Sequence, residues 1–215
     1  MGSSGVRKHQ YQQRYKRILS AALTLFCEKG IEETSIEDIA GKAEVGPATV
    51  YRYFETKAEV AIQGGILYWR EVSEKYLVHL SKQKYLESNG RDQIRKIMDI
   101  FVWVFEQEFD FLKFLQEFDV FVRKYQISQE RLKEYEQEIL NLKPYVTDAL
   151  EKGIKDGSLY LTQPVEKVYF SVTHAMLSLM QKLASNGSML SSDERVELIT
   201  QIKIVSEIMI RGLQA

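Results

Sequence analysis

Residues 34–57 read TSIEDIAGKAEVGPATVYRYFETK, and this stretch decides how the rest of the chain is read. Ser35 followed three residues later by Asp38 has the capping-box pattern, with a shorter acid than the usual Glu. A short helix is therefore expected from about Ile36 to Ala43, and Glu44-Val45-Gly46 then reads as a turn. Pro47 suits the first turn of a helix, where its missing N–H costs nothing, so a further helix is expected from about Pro47 to Phe54. Thr56-Lys57-Ala58-Glu59 is another capping box and opens a long helix expected to reach about Lys82. Upstream, Ile18, Ala22, Leu25 and Phe26 recur at helical spacing within about Tyr11 to Lys29. Gly30, with Ile31 behind it, has the form of a glycine C-cap and its hydrophobic contact.

Two short helices joined by a tight, Gly-containing turn and packed under a longer one are the grammar of a helix-turn-helix. At about 100° per residue, Val50 and Phe54 fall on one side of the third helix, towards Ile36, Ile39, Ala40 and Phe26. Ala48, Thr49 and Arg52 fall on the opposite side, flanked by Tyr51 and Tyr53. A solvated face more usually shows Glu and Lys. Here a small residue lets the helix approach a groove floor, and Arg can bond guanine bidentately. The Thr and Tyr hydroxyls can reach phosphates. Packing inside the bundle competes for Tyr51 and Tyr53, and plain solvation competes for Arg52 and Lys57.

Charge is distributed in the same sense. The chain of 215 residues is 45% hydrophobic and 27% charged, with a net charge of −1. Residues 1–57 hold nine Lys and Arg against seven Asp and Glu, net +2, and the remainder twenty against twenty-three, net −3. Residues 1–19 carry Arg7, Lys8, Arg14, Lys16 and Arg17 and no acid. A basic N-terminal piece on a mildly acidic body fits a phosphate-binding module, although a solvated basic arm would look the same. The opening Met1 to Gly5 resembles a cloning remnant and is set outside the expected fold, and residues 1–10 lack the apolar core of a signal peptide. No apolar run approaches the roughly 18 residues of a membrane span. The single Cys27 excludes an internal disulfide and a cysteine zinc site. A cytoplasmic location is expected.

The run from Thr34 to Ala40, then Ala43-Glu44-Val45-Gly46-Pro47-Ala48-Thr49-Val50-Tyr51-Arg52-Tyr53-Phe54, then Lys57, resembles the N-terminal signature of the tetracycline-repressor (TetR) family. Ile18, Ala21, Ala22, Phe26 and Gly30 are similar to it as well, so the resemblance covers roughly residues 14–65. It implies an all-α chain, with a three-helix DNA-binding domain (residues 11–57) and a larger helical domain for ligand sensing and dimerisation (residues 58–215). It implies that Thr49, Tyr51 and Arg52 contact the major groove with Tyr53 beside them, and that Gly46, Pro47 and Ala48 at the start of the helix belong to the same DNA-binding surface. It also implies that Thr34, Ser35 and Lys57 touch phosphate. The family often has Ser, a basic residue and Gly where Gly46, Pro47 and Ala48 stand, which puts one phosphate cap and one charge in doubt.

The remainder reads as helix. Gln83 to Arg91, with Asn89-Gly90, is expected to be a loop. Nine aromatic rings fall between Phe101 and Tyr125, against 11% aromatic residues overall. Close core packing accounts for such rings, and so does a pocket for an apolar or aromatic effector, with Phe101, Phe105, Phe114, Phe118 and His174 as candidates. His174 is also read as a hydrogen-bonded core residue. Residues 128–152 are charged and helical, with a break or kink at Pro144 and a close at Gly153 and Asp156-Gly157. Two further helices, Pro164 to Ala184 and Asp193 to Gly212, carry broad apolar stripes. The resemblance makes these a four-helix homodimer interface, and burial within one monomer is the other reading.

No catalytic constellation is legible. His9, His79 and His174 are scattered without metal-ligand spacing, and no glycine-rich phosphate loop follows a strand. No cofactor, metal or membrane partner is expected. The expected partners are a near-palindromic double-stranded DNA operator and a small effector. Two other classes stay open: a helical adaptor that has lost DNA binding, and a helical enzyme with an unrecognised site.

Overall fold

The computed structural model describes residues 2–187, 189, 191 and 195–213, and among them every regular element is a helix. The elements are α1 (Gly2–Lys29), α2 (Ile36–Lys42), α3 (Pro47–Tyr53), α4 (Lys57–Leu77), α5 (Gln83–Glu87) and α6 (Gly90–Gln107). There follow α7 (Phe109–Lys124), α8 (Gln129–Ile139), α9 (Lys143–Asp156), α10 (Val165–Asn186) and α11 (Leu198–Gly212). Short 3₁₀ turns at Val78–Ser81 and Leu140–Leu142 follow α4 and precede α9.

The chain packs as two compact units, residues 1–69 with 114–138, and residues 70–113 with 139–215. The cut expected between residues 57 and 58 falls inside the first unit, and α4 and α7 each contribute residues to both.

The first unit is built on α1. Ile18, Ala22 and Phe26 are buried along one face, with Ile39, Val50, Phe54, Val60 and Ala61 from the next three helices. Phe26 stacks on Phe114 (6.3 Å between centroids), Phe114 on Phe118 (5.6 Å), and Phe118 lies against Tyr135 (4.7 Å). Each such ring contributes roughly 1.5–3 kcal/mol when fully buried. Tyr135 can be buried because the Trp69 indole N–H donates to its phenol oxygen at 3.0 Å. Burial pushes the Tyr135 phenol pKa well above its ordinary value.

The second unit packs α6 against α9 and α11, with α10 against α9 and α11. Its core includes Ile94, Ile97, Met98, Leu150, Tyr169, Met176, Met180 and Ile202. Two glycines let α6 start directly on α9: a Cβ on Gly90 would lie 2.1 Å from the Gly153 backbone nitrogen. The Asp156 carboxylate accepts the Gly90 N–H at 2.8 Å, and Asn89 caps α6 by accepting the Asp92 N–H at 2.8 Å. Gly157 ends α9 in the left-handed conformation at φ 75°.

Several boundaries differ from expectation. α1 begins at Gly2 rather than near Tyr11, because nothing in residues 2–10 breaks a helix and Tyr11 is held on α3. The loop expected from Gln83 to Arg91 is the short α5 followed at once by α6. Gly153 lies inside α9 against Leu159 rather than closing it. Pro144 sits in the first turn of α9, where its ring is tolerated, after the break at Leu140–Leu142. The last helix starts at Leu198, and the start expected at Asp193 lies outside the described residues.

Candidate nucleic-acid interface

α2 and α3 form a tight corner in the first unit. Ser35 is the N-cap of α2, and both halves of the capping box are present: its Oγ accepts the Asp38 N–H at 3.0 Å, and Asp38 Oδ2 accepts the Ser35 N–H at 2.9 Å. The Ser35 hydroxyl donates to the same Asp38 oxygen at 2.7 Å, and Lys29 Nζ lies 2.7 Å from it. The Lys29 hydrogen bond, then those from Ser35, hold the Asp38 carboxyl far below the ordinary carboxylate range. Between the helices, Val45 N–H donates to Ala40 O at 2.9 Å, and the left-handed position of the turn is Glu44, at φ 52°. Gly46 has an extended conformation as N-cap of α3, with no side-chain cap and open space where a Cβ would stand.

The faces of α3 fall as the periodicity requires. Val50 and Phe54 are at most 1% exposed, whereas Ala48, Tyr51 and Arg52 are exposed and Thr49 and Tyr53 half-buried. Gly46 and Pro47 are exposed at its start. The Arg52 guanidinium lies over the Tyr53 ring, 5.9 Å from its centroid. Thus Gly46, Pro47, Ala48, Thr49, Tyr51, Arg52 and Tyr53 share one short helix and its cap, with Ser35 exposed at the head of α2.

Two expected contacts are placed differently. Thr34 is 1% exposed and its hydroxyl donates to the Gly30 carbonyl at 2.7 Å, so a phosphate contact through that side chain is withdrawn. Lys57 Nζ donates to the carbonyls of Glu32 (2.8 Å) and Thr34 (3.1 Å), so the ammonium clamps the loop between α1 and α2. The same loop is held from α7: the Tyr125 hydroxyl donates to Glu32 Oε1 at 2.6 Å and Lys124 Nζ lies 2.9 Å from it. These bonds, that of Tyr125 first, lower the Glu32 pKa. The sequence held no local signal for this second clamp, because its partners are far apart in the chain.

The effector candidates are not gathered in one unit. Phe114 and Phe118 belong to the aromatic core of the first unit, and Phe101, Phe105 and His174 to the second. His174 is exposed, tilted against Phe170 at 5.7 Å, and so is not the core residue expected. A cleft of about 250 Å³ in the second unit lies between α6 and α11, floored by Met98, Val102 and Ile210 and rimmed by Arg95, Asp99, Lys203 and Glu207. Arg95 and Glu207 are paired across it at 2.8 Å, and none of the five candidates lines it. Among the described residues, no group of His, Cys, Asp and Glu is placed to hold a metal ion, and no helix is long and apolar enough to cross a membrane.

Residues 18–63 match the family described as bacterial regulatory proteins, tetR family. The chain is 38% identical over 58 residues to the HTH-type transcriptional regulator TcmR of Streptomyces glaucescens, covering 27% of this chain and 26% of that protein. It is 32% identical over 62 residues to the HTH-type transcriptional repressor KstR of Rhodococcus jostii, covering 29% of each. The chain thus spans less than a third of the length of these two curated relatives. Among solved structures it resembles the fatty acid degradation regulator FadR of Bacillus halodurans, with a TM-score of 0.68 over 93% of this chain and all of that one. At 16% identity that likeness establishes the fold alone: an N-terminal helix-turn-helix domain and a larger C-terminal helical domain.

Proposed function

We propose, from the premise that residues 18–63 belong to the TetR family of bacterial regulatory proteins, that this chain is a DNA-binding transcription regulator, a repressor that a small effector releases from its operator. The observation that carries the reading is the division of α3. Val50 and Phe54 anchor the helix from below, and Ala48, Thr49, Tyr51 and Arg52 are left on the surface without an acid among them. A helix so presented fits the B-DNA major groove. A homodimer would set two copies of α3 about one helical turn, roughly 34 Å, apart on a near-palindromic site. α10 and α11 support the dimer: Ile204 and Ile208 are half or more exposed, and Val172 and Leu179 are incompletely covered. Ser35 stands at the same surface, and Lys57 contributes by holding the loop that leads into α2.

Effector control fits a helix pair, α4 and α7, that has residues in both units. A ligand that favours one setting of these helices would shift the population between dimer geometries and so change DNA affinity.

The test is selection of bound duplexes from fragmented genomic DNA, followed by titration of the selected site. Arg52→Ala is expected to weaken the selected site by about 1–3 kcal/mol and to relax the preference at one base pair. Equal affinity of the variant and the original chain for that site would remove α3 as the reading element.

A further inference from the structure

The DNA surface proposed above uses α3 and the head of α2, but α1 begins nine residues before its expected start, and these extra turns are not idle in the fold. Tyr11 stacks on Tyr53, the last residue of α3, with ring centroids 4.5 Å apart and planes at 24°. Tyr53 in turn lies under the Arg52 guanidinium at 5.9 Å. One turn on, Tyr15 packs on Phe54 at 4.9 Å, and its hydroxyl donates to Gln63 Oε1 at 2.8 Å. The amino-terminal turns of α1 are thereby fastened to the end of α3.

These turns are cationic and unpaired. From Gly5 to Cys27, α1 holds Arg7, Lys8, Arg14, Lys16 and Arg17 and no acid. All five are exposed, and none makes an ion pair among the described residues. At about 100° per residue, Arg7, Arg14 and Arg17 fall within an arc of about 80° that begins about 40° from Tyr11. From the first to the third the helix rises about 15 Å. One strand of B-DNA carries a phosphate every 3.4 Å of axis, so such a row matches several phosphates.

We propose that the amino-terminal half of α1 is a second DNA-contacting element, a helical arm that lays Arg7, Arg14 and Arg17 along the phosphate backbone. Tyr11 is its positioning residue: it holds the arm on α3 and, through Tyr53, steadies Arg52. Unpaired cations cost the folded chain mutual repulsion, which a polyanion relieves. The arm adds affinity that is blind to sequence and steep in salt, whereas α3 adds discrimination. The inference rests on the regulator reading, and the test separates the two.

The experiment measures binding of the full chain by fluorescence anisotropy across a series of salt concentrations, to a short mixed-sequence duplex, which reads the arm, and to the selected site, which reads Arg52. The variants are Arg7→Gln/Arg14→Gln/Arg17→Gln together, Tyr11→Ala, Tyr11→Phe and Arg52→Ala, each checked for native helix content. The triple variant is expected to reduce the slope of log affinity against log salt by up to about 2.7, at about 0.9 per phosphate contact. Tyr11→Ala is expected to weaken binding at low salt, and Tyr11→Phe, which keeps the ring stack, to restore it. A folded triple variant with the original slope, while Arg52→Ala still weakens binding, would overturn the arm and leave α3 as reader. A loss of slope in the triple variant with no effect of Arg52→Ala would support the arm and sink the reading of α3. A chain that ignores duplex DNA at low salt would overturn both.

Discussion

At the scale of single residues, the corner between α1 and α2 is governed by two carboxylates. Asp38 takes up Lys29 and both polar groups of Ser35, and Glu32 takes up Tyr125 and Lys124. Both are lowered from ordinary values of 3.8 and 4.5, so the unfolded chain takes up protons at higher pH than the folded one. The stability they contribute is therefore complete above about pH 4.5 and is lost as the pH falls through the ordinary carboxylate range towards the lowered values. Urea unfolding at neutral pH and on acidification is expected to show this loss, and Asp38→Asn to flatten it; identical acid sensitivity in the variant would refute the assignment. Gly46 gives a second expectation. Its backbone is extended and its Cβ direction is open, so Gly46→Ser adds an N-cap to α3 without strain. A gain of a few tenths of a kcal/mol in unfolding free energy is expected, with tighter DNA binding from a new hydroxyl at the helix start. A loss of stability would show that Gly46 is needed for its own sake.

At the scale of elements, closeness of backbone decides more than propensity. In a helix, Ala is better than Gly by about 1 kcal/mol, yet Gly90 faces the Gly153 backbone where α6 meets α9. A methyl group there forces the two helices apart, so Gly90→Ala is expected to lower unfolding free energy by about 3 kcal/mol or more, beyond any propensity gain. Thermal melting would check it, and an unchanged midpoint would mean that the helices can slide without cost. The break between α6 and α7 is likewise a tertiary matter. No Gly or Pro marks residue 108; instead Glu108 leaves helical angles at φ −122° and ψ 44°. Its carboxylate accepts the Tyr76 hydroxyl at 2.9 Å and pairs with Lys75. No periodicity argument finds such a stop. The stops at Gly30 and Gly157 and the start at Pro47 were legible, because each depends on a residue whose own backbone preference ends or starts a helix.

At the scale of the whole molecule, α11 presents apolar side chains to the surface. Ile208 is 62% exposed and Ile204 50%, a poor use of two isoleucines unless a second copy lies on them. Ile208→Asp is expected to leave helix content unchanged while converting a dimer to a monomer, as read by light scattering after gel filtration. A dimer that survives the change would place the interface elsewhere. The all-helical class, the order of the first four helices and the inward and outward faces of α3 follow from sequence alone, because capping, helical period and the Pro47 start act within a few residues of one another. The grouping of the aromatic rings does not. Phe114 and Phe118 fall with Phe26 and Tyr135, while Phe101 and Phe105 fall in another unit, although all four rings look alike in the sequence. Burial of Thr34, diversion of Lys57 to loop carbonyls and docking of Tyr11 on Tyr53 were also settled only in the fold. Each depends on which surfaces meet across long stretches of chain, and hydrophobic attraction, being non-directional, does not by itself say which.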